Sequence, residues 1–177
     1  MGDQLHTSAI KYLCQPDKIE KLVALYRELF VQQEASGEST IAFERFDVEP
    51  IIEQWTEGSR DGFIKPRPTG RIVRMDLCIS MLETFIETNN GYIYKSVNPK
   101  KLYIEVKSKK ADIMNVIAQL NLAKSYRRSG FILATLYPIS SVDKELLRNQ
   151  GYGHVYLDPK IVQEFANQAA DVNEPHF

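Results

Sequence analysis

The chain has 177 residues, of which 44% are apolar and 25% charged, and a net charge of −1. That length suits one domain with a real core, and that balance excludes disordered and collagen-like chains. No run approaches the roughly 18 apolar residues of a membrane span, and the N-terminus lacks a basic stretch followed by an apolar one, so an intracellular, soluble protein is expected. Cys14 and Cys78 make no CxxC spacing and no disulfide framework, and His6, His154 and His176 are too scattered to suggest zinc.

In chain order, Pro16-Asp17 opens a helix whose apolar positions 19, 22, 23, 26 and 30 fall at helical spacing. Residues 35–40 (ASGEST) read as a turn and 41–46 (IAFERF) as a short strand. Residues 47–58 read as a short helix, with Asp47 as N-cap and Gly58 as stop. The two prolines of 65–70 (KPRPTG) read as a loop. Residues 71–80 (RIVRMDLCIS) read as one buried strand interrupted by Asp76. Asn89-Asn90-Gly91 is a hairpin turn sequence, with the next strand at 100–108 (KKLYIEVKS).

The apolar positions 113, 116, 117, 120 and 123 then line one face of a helix. Residues 130–138 are a buried strand stopped by Pro138. Residues 141–151 are a helix with a Ser/Asp start and a Gly stop, and Asp143 and Glu145 read as its first-turn charges. A last strand (HVYLD, with His154 as a surface residue) and a helix opening near Pro159 follow, and 171–177 form a frayed tail. Tyr92, Tyr94 and Tyr103 read as packing or cross-strand residues. The order predicts an α/β (α+β) fold with a mixed central sheet flanked by helices. The first 60 residues are expected to be a helical, acidic extension.

The near-zero net charge hides an asymmetry. Residues 28–61 hold nine acids against Arg45 and Arg60, and residues 95–128 hold nine bases against Glu105 and Asp112. A local basic field of that kind attracts polyanions.

Two carboxylates stand inside apolar strands: Asp76 between Met75 and Leu77, and Glu105 between Ile104 and Val106. An unpaired buried carboxylate is very costly, so two of them suggest one shared cation. Hard divalent ions take oxygen ligands, to which the Val106 carbonyl can add. Lys107 shares the strand face of Glu105 and can stabilise charge developing on a phosphoryl oxygen.

"MDL" followed by "YIEVKSK" resembles the PD-(D/E)XK, or restriction-endonuclease-like, nuclease superfamily: an Asp on one strand and Glu-x-Lys on the next. The helix "ADIMNVIAQLNLAKSY" is similar to the one that follows Glu-x-Lys there, with Gln119 at the supporting position. The similarity runs from about residue 70 to 158. It implies a restriction-endonuclease-like core and a DNA-cleaving enzyme that uses Mg²⁺ or Mn²⁺. Asp76, Glu105 and Val106 would be the ligands, and Asp76, Glu105, Lys107 and Gln119 the catalytic set.

It further implies DNA held by Lys109, Lys110, Lys124, Arg127 and Arg128, and a homodimer. The expected proline before the first Asp is Met75 here, and 28 residues separate Asp76 from Glu105, which requires an elongated hairpin or an insertion. A further Glu on an N-terminal helix is a choice among Glu20, Glu28, Glu49 and Glu53. The other readings are a DNA-binding protein with the same fold and no activity, and an unrelated α/β interaction module.

Overall fold

A computed structural model describes residues 4–31, 37–55, 67–124 and 129–171. Two helices open the chain, α1 (Gln4–Leu13) and α2 (Pro16–Phe30), followed by strands β1 (Gly37–Val48), β2 (Ile51–Trp55), β3 (Pro68–Arg74), β4 (Leu77–Asn89) and β5 (Tyr92–Lys107). Then come α3 (Ile113–Lys124), β6 (Gly130–Thr135), α4 (Ser141–Asn149), β7 (Gly153–Tyr156) and α5 (Pro159–Asp171). One sheet has the order β1-β4-β5-β6-β7, antiparallel from β1 to β5 and parallel from β5 to β7. The fold is therefore a mixed α/β fold with helices on both faces of a mixed sheet.

Alternation along the strands divides the core in two. Leu77, Ile79 and Met81 of β4, Leu102, Ile104 and Val106 of β5, and Ile132 and Ala134 of β6 pack with α1, α2 and Val162 of α5. Cys78, Tyr103, Phe131 and Leu133 face the other way, against Val116, Ile117, Leu120 and Ala123 of α3 and Leu147 of α4. Glu105 and Lys107 fall on this second, α3-covered face by the same alternation.

The β4–β5 hairpin explains the long gap between the two acids. Its ladder runs without a bulge from Asn89↔Tyr92 to Leu77↔Ile104. One further step in that register sets Asp76 opposite Glu105. The tip is a two-residue turn with φ of 50° at Asn90 and 79° at Gly91, the left-handed pair that matches strand twist in tight hairpins. Burial falls along the hairpin: β4 is buried from Leu77 to Met81, and β5 is exposed from Tyr92 to Pro99.

Several sequence expectations need correction. Residues 47–55 are not a helix: Asp47 and Val48 end β1, and Ile51–Trp55 is β2, antiparallel to β3. Ile51 and Ile52 mimic one helix stripe, but only Ile52 is buried while Ile51 is 59% exposed, the alternation of a strand. Gly37–Thr40 belongs to β1 rather than a turn, and Pro68–Gly70 belongs to β3, whose ladder of two strands leaves an edge that tolerates proline.

The expected single strand 71–80 is two strands broken at Met75 and Asp76. Residues 4–55 are not helical throughout, since they also hold β1, an edge of the central sheet, and β2, while α1 and α2 supply much of one core layer. As expected, Tyr103 packs, stacked on Phe131, and Tyr92 and Tyr94 are hairpin residues opposite Asn89 and Glu87, 70% and 59% exposed.

Candidate active site

At the open end of the hairpin the ladder stops and side chains take over its hydrogen bonds. The Val106 N–H lies just past the last β4 pair and donates to Asp76 Oδ2 at 2.6 Å. The other carboxylate oxygen, Oδ1, meets His6 Nε2 at 3.3 Å. The Asp76 backbone carbonyl accepts from the Glu49 N–H at 2.9 Å, and Glu49 sits at φ 50°, a left-handed conformation unusual for a residue with a side chain. Asp76 is thus pinned from three elements.

Glu105 is only 5% exposed. Lys107 Nζ lies 2.6 Å from its Oε1, and Gln119 Nε2 donates to the same oxygen at 2.8 Å. Lys107 also donates to Gln119 Oε1 at 3.3 Å, which closes a triangle of three side chains. Gln119 arrives because α3 lays Val116, Ile117 and Leu120 on the sheet, leaving position 119 at the rim of that buried stripe. Glu105 and Lys107, adjacent on one strand face, are therefore a direct ion pair.

Burial, foremost, raises the Glu105 pKa; the Lys107 hydrogen bond lowers it, and the Asp76 charge raises it again. The balance stays above the ordinary carboxylate value despite an ammonium at 2.6 Å. Both hydrogen bonds found at Glu105 go to Oε1. Asp76, Glu105 and the Val106 carbonyl, next in sequence to Glu105, offer oxygen ligands, the type that a hard divalent cation such as Mg²⁺ or Mn²⁺ takes. Among the described residues no three His, Cys, Asp or Glu side chains form a metal-holding group.

No protein-family model matches the chain, and no curated protein does. Among solved structures, 51% of the chain is similar to 26% of the protein VC1899 from Vibrio cholerae, at 12% identity and a TM-score of 0.28. A sialyltransferase from Photobacterium damsela is similar over 75% of the chain and 32% of its own, at 9% identity and a TM-score of 0.22. The chain thus spans about a quarter to a third of each protein's length. Likeness this slight carries no inference about fold or function.

The remaining candidates divide. Lys109 and Lys110 are exposed just after β5, beside the site. Lys124 is committed elsewhere: its ammonium donates to the Gln150 carbonyl at 2.7 Å and sits 4.9 Å from the centre of the Tyr152 ring. Arg127 and Arg128 lie outside the described residues. Glu20 and Glu28 are exposed on α2, Glu49 reaches Asp76 through its backbone, and the Glu53 side chain lies outside the described residues.

His154 is not a surface residue but half-buried. Its Nε2 is 2.9 Å from the hydroxyl of fully buried Thr135, which itself donates to the Tyr137 carbonyl at 2.8 Å. With its proton spent there, that hydroxyl accepts from His154 Nε2–H. Burial first, and then the Lys144 charge, pull the His154 pKa down to about 4.

His6 is the site residue that the sequence reading missed. The signal was present: Ala9, Ile10 and Leu13 are the buried stripe of α1, and position 6 continues that stripe one turn toward the N-terminus.

Proposed function

We propose that this protein is a restriction-endonuclease-like, metal-dependent nuclease that hydrolyses DNA phosphodiester bonds. The observation that carries the reading is the closed Glu105–Lys107–Gln119 triangle beside an Asp76 held at both carboxylate oxygens. Structural ion pairs of sheet edges are solvated and worth little. Here instead a raised-pKa carboxylate, a second carboxylate and an ammonium meet at the carboxyl end of a parallel strand, the usual position of ligand sites in such sheets.

Asp76, Glu105 and the Val106 carbonyl would hold Mg²⁺ or Mn²⁺, which when bound polarises a phosphodiester and lowers the pKa of a water. The residues of the chain do the rest. Val106 N–H and His6 fix the two oxygens of Asp76. Gln119 fixes Glu105 and Lys107 together, so both reach the substrate with their rotamers set. The Lys107 ammonium stabilises charge growing on the phosphoryl oxygen and can orient the attacking water.

A DNA-binding protein without cleavage is the second reading. It is favoured by one fact: Glu105 Oε1 already accepts hydrogen bonds inside the protein from Lys107 and Gln119.

Cleavage of plasmid and of branched DNA in Mg²⁺, Mn²⁺ or EDTA tests the proposal, with Asp76→Ala and Lys107→Ala alongside. Metal-dependent cutting lost in both variants is the expected result. DNA retention with no cutting in any condition supports the second reading. Undiminished cutting by Asp76→Ala would sink the site.

A further inference from the structure

Two of the bases of residues 95–128, Lys95 and Lys124, are poorly placed for a substrate at Asp76 and Glu105. Lys95 pairs opposite Ile86 near the hairpin tip, and from there β5 climbs about 40 Å to Lys107. Lys124 is bound to Gln150 and Tyr152. The β2–β3 ribbon is placed differently, because it grows directly out of the site. After Glu49 N–H bonds the Asp76 carbonyl, Met75 N–H bonds the Pro50 carbonyl at 3.2 Å, and the pairing continues as Ile51↔Arg74 and Ile52↔Val73.

Ile52 and Met75 are buried with the α3 layer and root the ribbon there. Across the ribbon, Ile51 and Ile72 are 59% and 54% exposed and flank exposed Arg74, two residues from Asp76. Charge is split between the strands. Glu53 is the acid of β2, whereas β3 carries Arg71 and Arg74 and no acid.

We propose that β3 is the arm on which this site holds its duplex, with Arg74 on a phosphate next to the one being cut. This rests on the nuclease reading. The guanidinium forks phosphate oxygens, and the exposed isoleucines beside it offer apolar contact to sugars. From Arg74 to Pro68 the strand spans about 20 Å, roughly six base pairs of duplex at 3.4 Å each. Binding through the arm is sequence-independent and salt-dependent, because it works by releasing counterions.

The test is fluorescence anisotropy of the full chain on a labelled 30-base-pair duplex in EDTA, across a range of KCl concentrations. Arg74→Ala is expected to weaken binding by up to about tenfold and to reduce the salt slope by about 0.9, the share of one phosphate. Arg74→Lys restores the slope, which a merely structural role for Arg74 would not produce. Lys95→Ala changes neither quantity. An Arg74→Ala slope equal to that of the unmodified protein, or a loss found in Lys95→Ala instead, overturns the arm while leaving binding and cleavage by the unmodified protein in place. Failure of the unmodified protein to bind any duplex overturns the nuclease reading and the arm with it.

Discussion

The two ends of the β4–β5 hairpin share one unbroken ladder and could hardly differ more. At the tip the β4–β5 register continues without a bulge, yet Tyr92, Ile93 and Tyr94 stand 59–74% exposed because no described helix covers them. At the open end the ladder breaks at Asp76, the surroundings are buried, and charged side chains replace backbone pairing. Regular pairing without cover exposes apolar surface; cover without regular pairing concentrates charge. Buried polar groups are tolerated only when satisfied, and those at the open end are supplied by α1 (His6), the break before β4 (Asp76), β5 (Glu105, Lys107 and the Val106 N–H) and α3 (Gln119).

The largest expected contrast between the ends is in catalysis. Asp76→Asn should reduce plasmid cleavage by about 10³–10⁴-fold, as removing one member of a catalytic unit does. Tyr92→Ser/Tyr94→Ser should leave the rate within about twofold, and equal losses at both ends would erase the distinction.

Stability sharpens it next. The lowered His154 pKa means that the unfolded chain takes up a proton near pH 6.5 while the folded chain does so only near 4. Stability is therefore full above pH 6.5 and lost as pH falls toward 4, by roughly 2–3 kcal/mol. His154→Gln keeps a donor for Thr135 and removes the titration, so urea midpoints in that window should become flatter; an unchanged pH profile would contradict the burial of the ring.

Gln119→Ala should cost about 10–100-fold in cleavage, the usual size of a supporting contact, with little change in folding. A rate within twofold of the parent would demote Gln119 to a helix-surface amide.

Glu105 gives the smallest effect on stability, with a sign of its own. Its raised pKa means that the folded protein holds the proton longer, so its contribution favours folding below the ordinary carboxylate value and is lost as pH rises through the folded value. Glu105→Gln should therefore leave the metal-free protein at neutral pH as stable as the parent or up to about 1 kcal/mol more so, while abolishing cleavage. A clear fall in melting temperature would mean that the ion pair with Lys107 outweighs the desolvation.

Much of this contrast is readable in the sequence. Apolar runs mark β4 to β6, Asn90-Gly91 marks the turn, and the stripe 116, 117, 120, 123 marks α3 and places Gln119 at its rim. The β2–β3 ribbon is not readable, because Pro50 and Pro68 disguise it and Ile51-Ile52-Trp55 imitates a helical face. His6 escapes notice because α1 is short, and one turn of stripe is a weak signal. The partner of Asp76 Oδ2 could not be found at all: it is a backbone N–H, and every residue but proline has one.

The account stands or falls on whether the break in the ladder holds a cation. Calorimetric titration of Mn²⁺ into the full chain should show one ion per chain, lost in Asp76→Asn and in Glu105→Gln and kept in Tyr92→Ser/Tyr94→Ser. Binding of the same stoichiometry and affinity in Asp76→Asn, or none in the unmodified protein, would contradict it.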